Sequence, residues 1–176
     1  MRKNSLNRAF AAISIVVGVL LLSPLASSLP TGIGGSSIQT AGCNCHNSNA
    51  DSTVTADIQG FPEQYNASET YRLTISFDGG PSQIGNIHLG GFNLWASEGA
   101  FTPTDGLTSL WAGSVNEVVH TEAGNDYKSW VVDWTAPVSG KEVDFILHVN
   151  SVNGDGLQTG QLDQWNRADY TLQSSF

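Results

Sequence analysis

The chain has little positive charge, almost no cysteine and a single long apolar run. Only seven of its 176 residues are Lys or Arg, and three of these, Arg2, Lys3 and Arg8, sit at the start. The other four are Arg72, Lys128, Lys141 and Arg167. All sixteen acidic residues follow position 50, so residues 29–176 hold four basic and sixteen acidic side chains, a net of −12. Such a surface repels phosphate backbones, which argues against nucleic-acid binding. It suits solubility, a bound cation or a basic redox partner protein. The two cysteines, Cys43 and Cys45, are too few for a disulfide framework. A bridge between them would close almost no loop and add little stability. They are better explained by chemistry than by stapling.

Other absences narrow the function. No Ser-His-Asp order with a G-x-S-x-G elbow occurs, and "GIGG" at 32–35 precedes no predicted helix, so no phosphate-cradling loop is expected. Nothing argues for an enzyme. No stretch after residue 28 reads as a long amphipathic helix, and no repeat of fixed period is present.

The one apolar run, Ala9 to Leu22, follows the basic start and ends before Pro24, with small residues at Ala26 to Ser28. That is the secretory signal pattern, and residues 1–28 are expected to be removed on export. The alternative, an uncleaved anchor, is disfavoured because the run is shorter than the roughly 20 residues of a spanning helix. No membrane span is expected in the mature chain, and no Cys lies at the cleavage site to carry a bacterial-type lipid. The protein is expected to be secreted or extracytoplasmic, at a cell surface or in a periplasm-like space.

Residues 29–52 are rich in Gly, Ser, Asn and Thr, lack periodicity and read as an irregular leader. From residue 53 to 176 the pattern changes to short alternating strands. Val54, Ala56 and Ile58 share one face, as do Tyr71, Leu73, Ile75 and Phe77. "IGNIHLGGFNLWAS" reads as one long strand with a bulge or bend at Gly90-Gly91. "KSWVVDW" puts Trp130, Val132 and Trp134 together. "VDFILHVN" does the same for Phe145, Leu147 and Val149, and "ADYTL" ends the set. "SLWAG" and "EVVHT" are weaker strand candidates. Turn signals such as "FDGGPS", "AGND" and "NGDG" separate these runs. Seven to nine short strands at this spacing predict an all-β, antiparallel sandwich.

The order of features, a Cys/His leader followed by "YNASETYRLTISF", "GGFNLWASEGAF", "VVHTEAGNDYKSWVVDWTAP" and "VNSVNGDG", resembles the choice-of-anchor V domain family. These are exported, immunoglobulin/Reeler-like β-sandwich domains, and the resemblance spans about residues 41–157. Its most specific pieces are not catalytic. Members typically carry Cys-x-x-Cys-His in the leader, which implies a c-type haem. Position by position, Cys43, Cys45 and His46 fall on that motif and His120 on the family's His-Thr. This chain has only Asn44 between the thiols.

Three chemistries remain open for "CNCH". Covalent haem needs two thioethers while the next His reaches the iron. With one intervening residue the two Cα atoms lie about 7 Å apart when extended, and attachment through one thiol is the fallback. A bare copper or zinc ion suits two thiolates and an imidazole, with His120 favoured over His88 and His148 as fourth ligand. His88 and His148 are expected on an outer strand face, exposed. The third reading is a local Cys43–Cys45 disulfide on a cell-surface binding or structural module. Asn150, Asn153, Asp155 and Asp163 have Ca²⁺-type oxygens but fail the EF-hand spacing, so a plain turn is expected. "NAS" at 66–68 is a glycosylation acceptor in a host that glycosylates exported chains. Trp130 and Trp134 are expected in the core; Trp95, Trp111 and Trp165 are not assigned.

Overall fold

The computed structural model describes residues 30–156 and 162–175. The expected signal segment, residues 1–28, lies outside them. Nine strands are described: β1 (Val54–Gln59), β2 (Thr70–Gly79), β3 (Gly90–Ala96), β4 (Ala100–Pro103), β5 (Thr108–Leu110), β6 (Glu117–His120), β7 (Ser129–Thr135), β8 (Val143–Ser151) and β9 (Gln164–Leu172). They form two antiparallel sheets, β1-β2-β7-β4 and β5-β6-β3-β8-β9. The chain is a β-sandwich. Among the described residues no helix is long and apolar enough to cross a membrane.

Period-two alternation sends one side of each sheet inward. Leu73, Ile75, Trp130, Val132 and Trp134 of the first sheet meet Phe92, Leu94, Val118, Phe145, Leu147 and Val149 of the second, all buried. Trp134 sits edge-on to Phe145 and Tyr65. Tyr65 is buried, and its hydroxyl donates to the carbonyls of Ser139 and Lys141.

Three local expectations change. The predicted strand from Ile84 begins only at Gly90. Residues 84–89 instead form a loop bonded to the β8–β9 connection, with Ile84 N–H donating to Asn153 O at 2.9 Å and Ile87 N–H to Gly154 O at 3.1 Å. Gly90 and Gly91 make no bulge; they pair in register with Ser151 and Asn150. The third change is β4, a four-residue edge strand carrying Pro103, too short to show a period.

The leader is not wholly irregular. It holds a six-residue helix, α1 (Ser36–Ala41), directly after "GIGG", where no helix was expected. One and a half turns are too few to show periodicity, and the helix is fixed by burial of Ile38 and by Gly42 N–H donating to Ile38 O at 2.8 Å. The leader lies across the outer face of the five-stranded sheet. Asn93 Nδ2 donates to Ile33 O (3.0 Å), Gly35 N–H to Glu117 Oε1 (2.8 Å), Arg167 to Gln39 O (3.1 Å) and Trp165 Nε1–H to Asn47 O (2.7 Å). Gly42 permits this fit, since a Cβ there would stand 2.1 Å from the Trp165 ring.

That cover corrects the expectation for His148, which is on the outer face of β8 but only 1 % exposed. Its Nδ1 has no partner among the described residues. Burial, helped by Arg167, pushes it down to about 4. The folded protein therefore holds His148 neutral, whereas the unfolded chain protonates it below about pH 6.5. This contribution to stability is whole above pH 6.5 and is lost as pH falls towards 4, by up to about 3 kcal/mol. Urea midpoints measured across this window should fall with acid. His148→Leu should flatten the slope; an unchanged slope would contradict this role.

Candidate functional site

At one end of the five-stranded sheet, between the leader and the loops, lies a cavity of about 370 Å³. Cys43 and His46 reach its wall from the leader, His88 from the loop before β3, and His120 from the end of β6. Ile33, Ile38, Ile87, Phe92 and Val152 supply apolar lining. The volume falls in the range of small-molecule and cofactor pockets. Of the four residues expected to bind, Cys43, His46 and His120 converge here and Cys45 does not: it is exposed. His88, expected on an outer strand face, joins them because its segment is a loop, with His88 itself at φ 64. His148 is outside the wall.

Each histidine is oriented. His46 Nδ1 lies 2.9 Å from Asp163 Oδ2, and Asp163 is itself buried, accepting the Asn153 N–H at 3.0 Å. A carboxylate oxygen accepts, so His46 donates from Nδ1 and keeps Nε2 for another partner. This carboxylate–histidine pair is the usual support of a metal-binding imidazole. His88 Nδ1 stands likewise 3.0 Å from Asp126 Oδ1. His120 Nδ1 lies 3.0 Å from Phe92 N and 3.1 Å from Phe92 O. Burial pushes His120 down to about 4, opposed by the Phe92 hydrogen bond and reinforced by His46 and His88. It is a neutral imidazole at pH 7, the form that can ligate. Burial, then the nearby Cys45, pushes the Cys43 thiol up to about 12, so it stays protonated at neutral pH. Both cysteines are free thiols.

Glycine makes room for His120. A Cβ on Gly91 would lie 2.3 Å from the His120 ring. Gly91→Ala should displace that ring, break its bond to Phe92 and cost roughly 1–3 kcal/mol by overpacking. Chemical denaturation measures the loss, and a neutral effect would mean that the ring can shift freely.

Asn153, Asp155 and Asp163 all reach the cavity wall, with Asn153 Nδ2 donating to Asp155 Oδ2 at 3.0 Å. The role of Asp163 was missed, since 117 positions separate it from His46. Its only sequence signal was a carboxylate in a Gly-rich turn. Among the described residues, no three His, Cys, Asp or Glu side chains sit close enough to hold a single ion.

No family model matches the chain, and no curated protein matches it. Among solved structures it is similar to the Reelin-N domain of F-spondin, with TM-score 0.48 and 19 % identity over 72 % of this chain and 89 % of that one. The human F-spondin reeler domain gives 0.46 and 17 %, over 72 % and 91 %. A conjugative transposon lipoprotein from Bacteroides eggerthii gives 0.41 and 12 %, over 69 % and 98 %. These likenesses concern the sandwich and carry nothing about what this cavity binds.

Proposed function

We propose that this is an exported β-sandwich protein, of the choice-of-anchor V kind, whose cavity holds a redox-active haem of c type in a non-catalytic, electron-transfer role. The observation that carries the reading is the convergence of Cys43, His46 and His120 on one cavity of about 370 Å³ with a partly apolar lining. A single copper or zinc ion would need its ligands within bonding distance of one point; these residues surround a space instead. The donor set, with Ile33, Ile38, Ile87, Phe92 and Val152 in the wall, favours a flat, partly apolar group.

When bound, haem supplies a one-electron couple at its iron. The chain's own residues would hold and orient it. Cys43, with Cys45 beside it, offers the anchoring thiol. His46 offers Nε2 because Asp163 holds Nδ1. His120, kept neutral by burial, would be a second imidazole ligand, and His88 is a further imidazole in the same wall. Asp163→Asn should weaken His46 ligation on the order of tenfold, read as a lower concentration of free imidazole needed to displace His46 from the iron.

The test is an absorption spectrum with elemental analysis, on protein exported from a host with haem-maturation machinery. A Soret band that survives acid-acetone extraction supports the reading. Zinc or copper near one per chain without that band replaces it with a bare-metal site. A colourless, metal-free protein whose two thiols appear only after reduction replaces it with a surface module and a local disulfide.

A further inference from the structure

Four exposed apolar side chains lie in or beside the cavity wall. Seven large hydrophobic residues are exposed among the described residues. Ile33 (39 %) and Ile87 (50 %) are in the cavity wall itself. Ile84 (68 %) belongs to the same loop as Ile87 and is bonded through its backbone to Asn153 of the wall. Tyr127 (48 %) follows Asp126, which pairs with His88 of the wall. An apolar patch rimmed by polar groups marks an interaction site.

The border of this patch is acidic. Glu122 and Asp155 line the cavity, and the Asp126 side chain, 65 % exposed, stands beside His88. No Lys or Arg is among the lining residues. Lys128, the nearest cation in sequence, lies over the Phe77 ring at 5.4 Å. An apolar centre in an acidic ring is complementary to an apolar patch ringed by lysine or arginine. A second copy of this chain would bring the same negative ring against it, and an anionic lipid surface would be repelled for the same reason.

We propose that the cavity mouth is the docking face for a basic redox protein, one presenting a lysine- or arginine-ringed apolar patch. This rests on the haem reading for its purpose, since docking there would bring the partner to the bound group. The binding surface itself belongs to the chain and can be tested apart from the group.

The test uses the mature chain as exported, loaded or colourless, titrated calorimetrically with mitochondrial cytochrome c as a basic redox probe. Binding at low ionic strength should weaken about tenfold or more on moving to physiological salt. Glu122→Lys and Ile84→Ser should each weaken it, by about tenfold and severalfold respectively. Glu142→Lys and Val138→Ser, both at exposed positions outside the cavity wall, are the controls and should leave it unchanged. Equal losses in mouth and control variants would overturn the proposal, as would binding indifferent to salt or no binding at all. Self-association of the chain, abolished by Ile84→Ser, would reassign the face to a second copy and overturn it too. A colourless chain that still docks through the mouth would sink the haem reading and leave the docking face standing.

Discussion

Replacing Cys43 and Cys45 together with serine is expected, on the haem reading, to give a folded protein without the redox group. The fold should survive because neither thiol belongs to the core. Cys45 is exposed, Cys43 sits half-buried in the cavity wall, and the sandwich is held by Leu73, Trp130, Trp134, Phe145 and their neighbours. On the haem reading the group should be lost, because the thiols would be its only covalent attachment. Cys43→Ser alone should remove most of the colour, since Cys43 faces the cavity and Cys45 does not. His120→Ala should leave the group attached but shift its Soret maximum, because one imidazole is lost while His46 remains anchored to Asp163. The measurement is the Soret absorbance and iron content per chain after acid-acetone extraction, beside a denaturation curve for each variant. Unchanged haem or metal content in the double variant would sink the proposed site.

The largest loss of stability is expected from Trp134→Ala. Trp134 is fully buried, with its ring centroid 4.9 Å from Phe145, 5.8 Å from Tyr65 and 6.0 Å from Tyr71. Its Nε1–H donates to Glu98 O at 3.3 Å. Truncation removes the contacts between the two sheets and leaves a cavity that these rings cannot fill. The expected cost is about 3–5 kcal/mol, a large part of the stability of an ordinary domain. Trp134→Phe should cost less, since it keeps a ring in place. Guanidinium unfolding of the three proteins measures this. A loss below about 1 kcal/mol for alanine would mean that the two sheets repack around the gap. Trp134 is not in the cavity wall, so whatever fraction stays folded should keep the proposed group.

The strands were legible because alternation is a local signal. Tyr71 to Phe77, Trp130 to Trp134 and Phe145 to Val149 each show which side is buried without reference to any other segment. His120 was legible too, as the last residue of a short strand beside a turn, and β6 does end there. The same rule misplaced residues 84–89: their period-two pattern is genuine, but hydrogen bonds to the distant Asn153 and Gly154 hold the segment as a loop. Burial of His148 was invisible for a related reason. Alternation places a side chain on the outer face but does not say whether another segment will cover that face.

The sequence by itself determined the acidic surface, the two-layer β architecture, the pairing of Trp130 and Trp134 in the core and the candidacy of Cys43, Cys45, His46 and His120. Each of these depends on composition or on neighbours a few residues away. Only the tertiary structure decided that the leader covers the five-stranded sheet, that Cys43 rather than Cys45 faces the cavity, that His88 joins His46 and His120 there, and that Asp163 orients His46. Those facts depend on contacts between segments up to 128 positions apart. Such contacts are fixed by which surfaces remain to be buried once the two sheets have formed, and no local pattern in the chain encodes them.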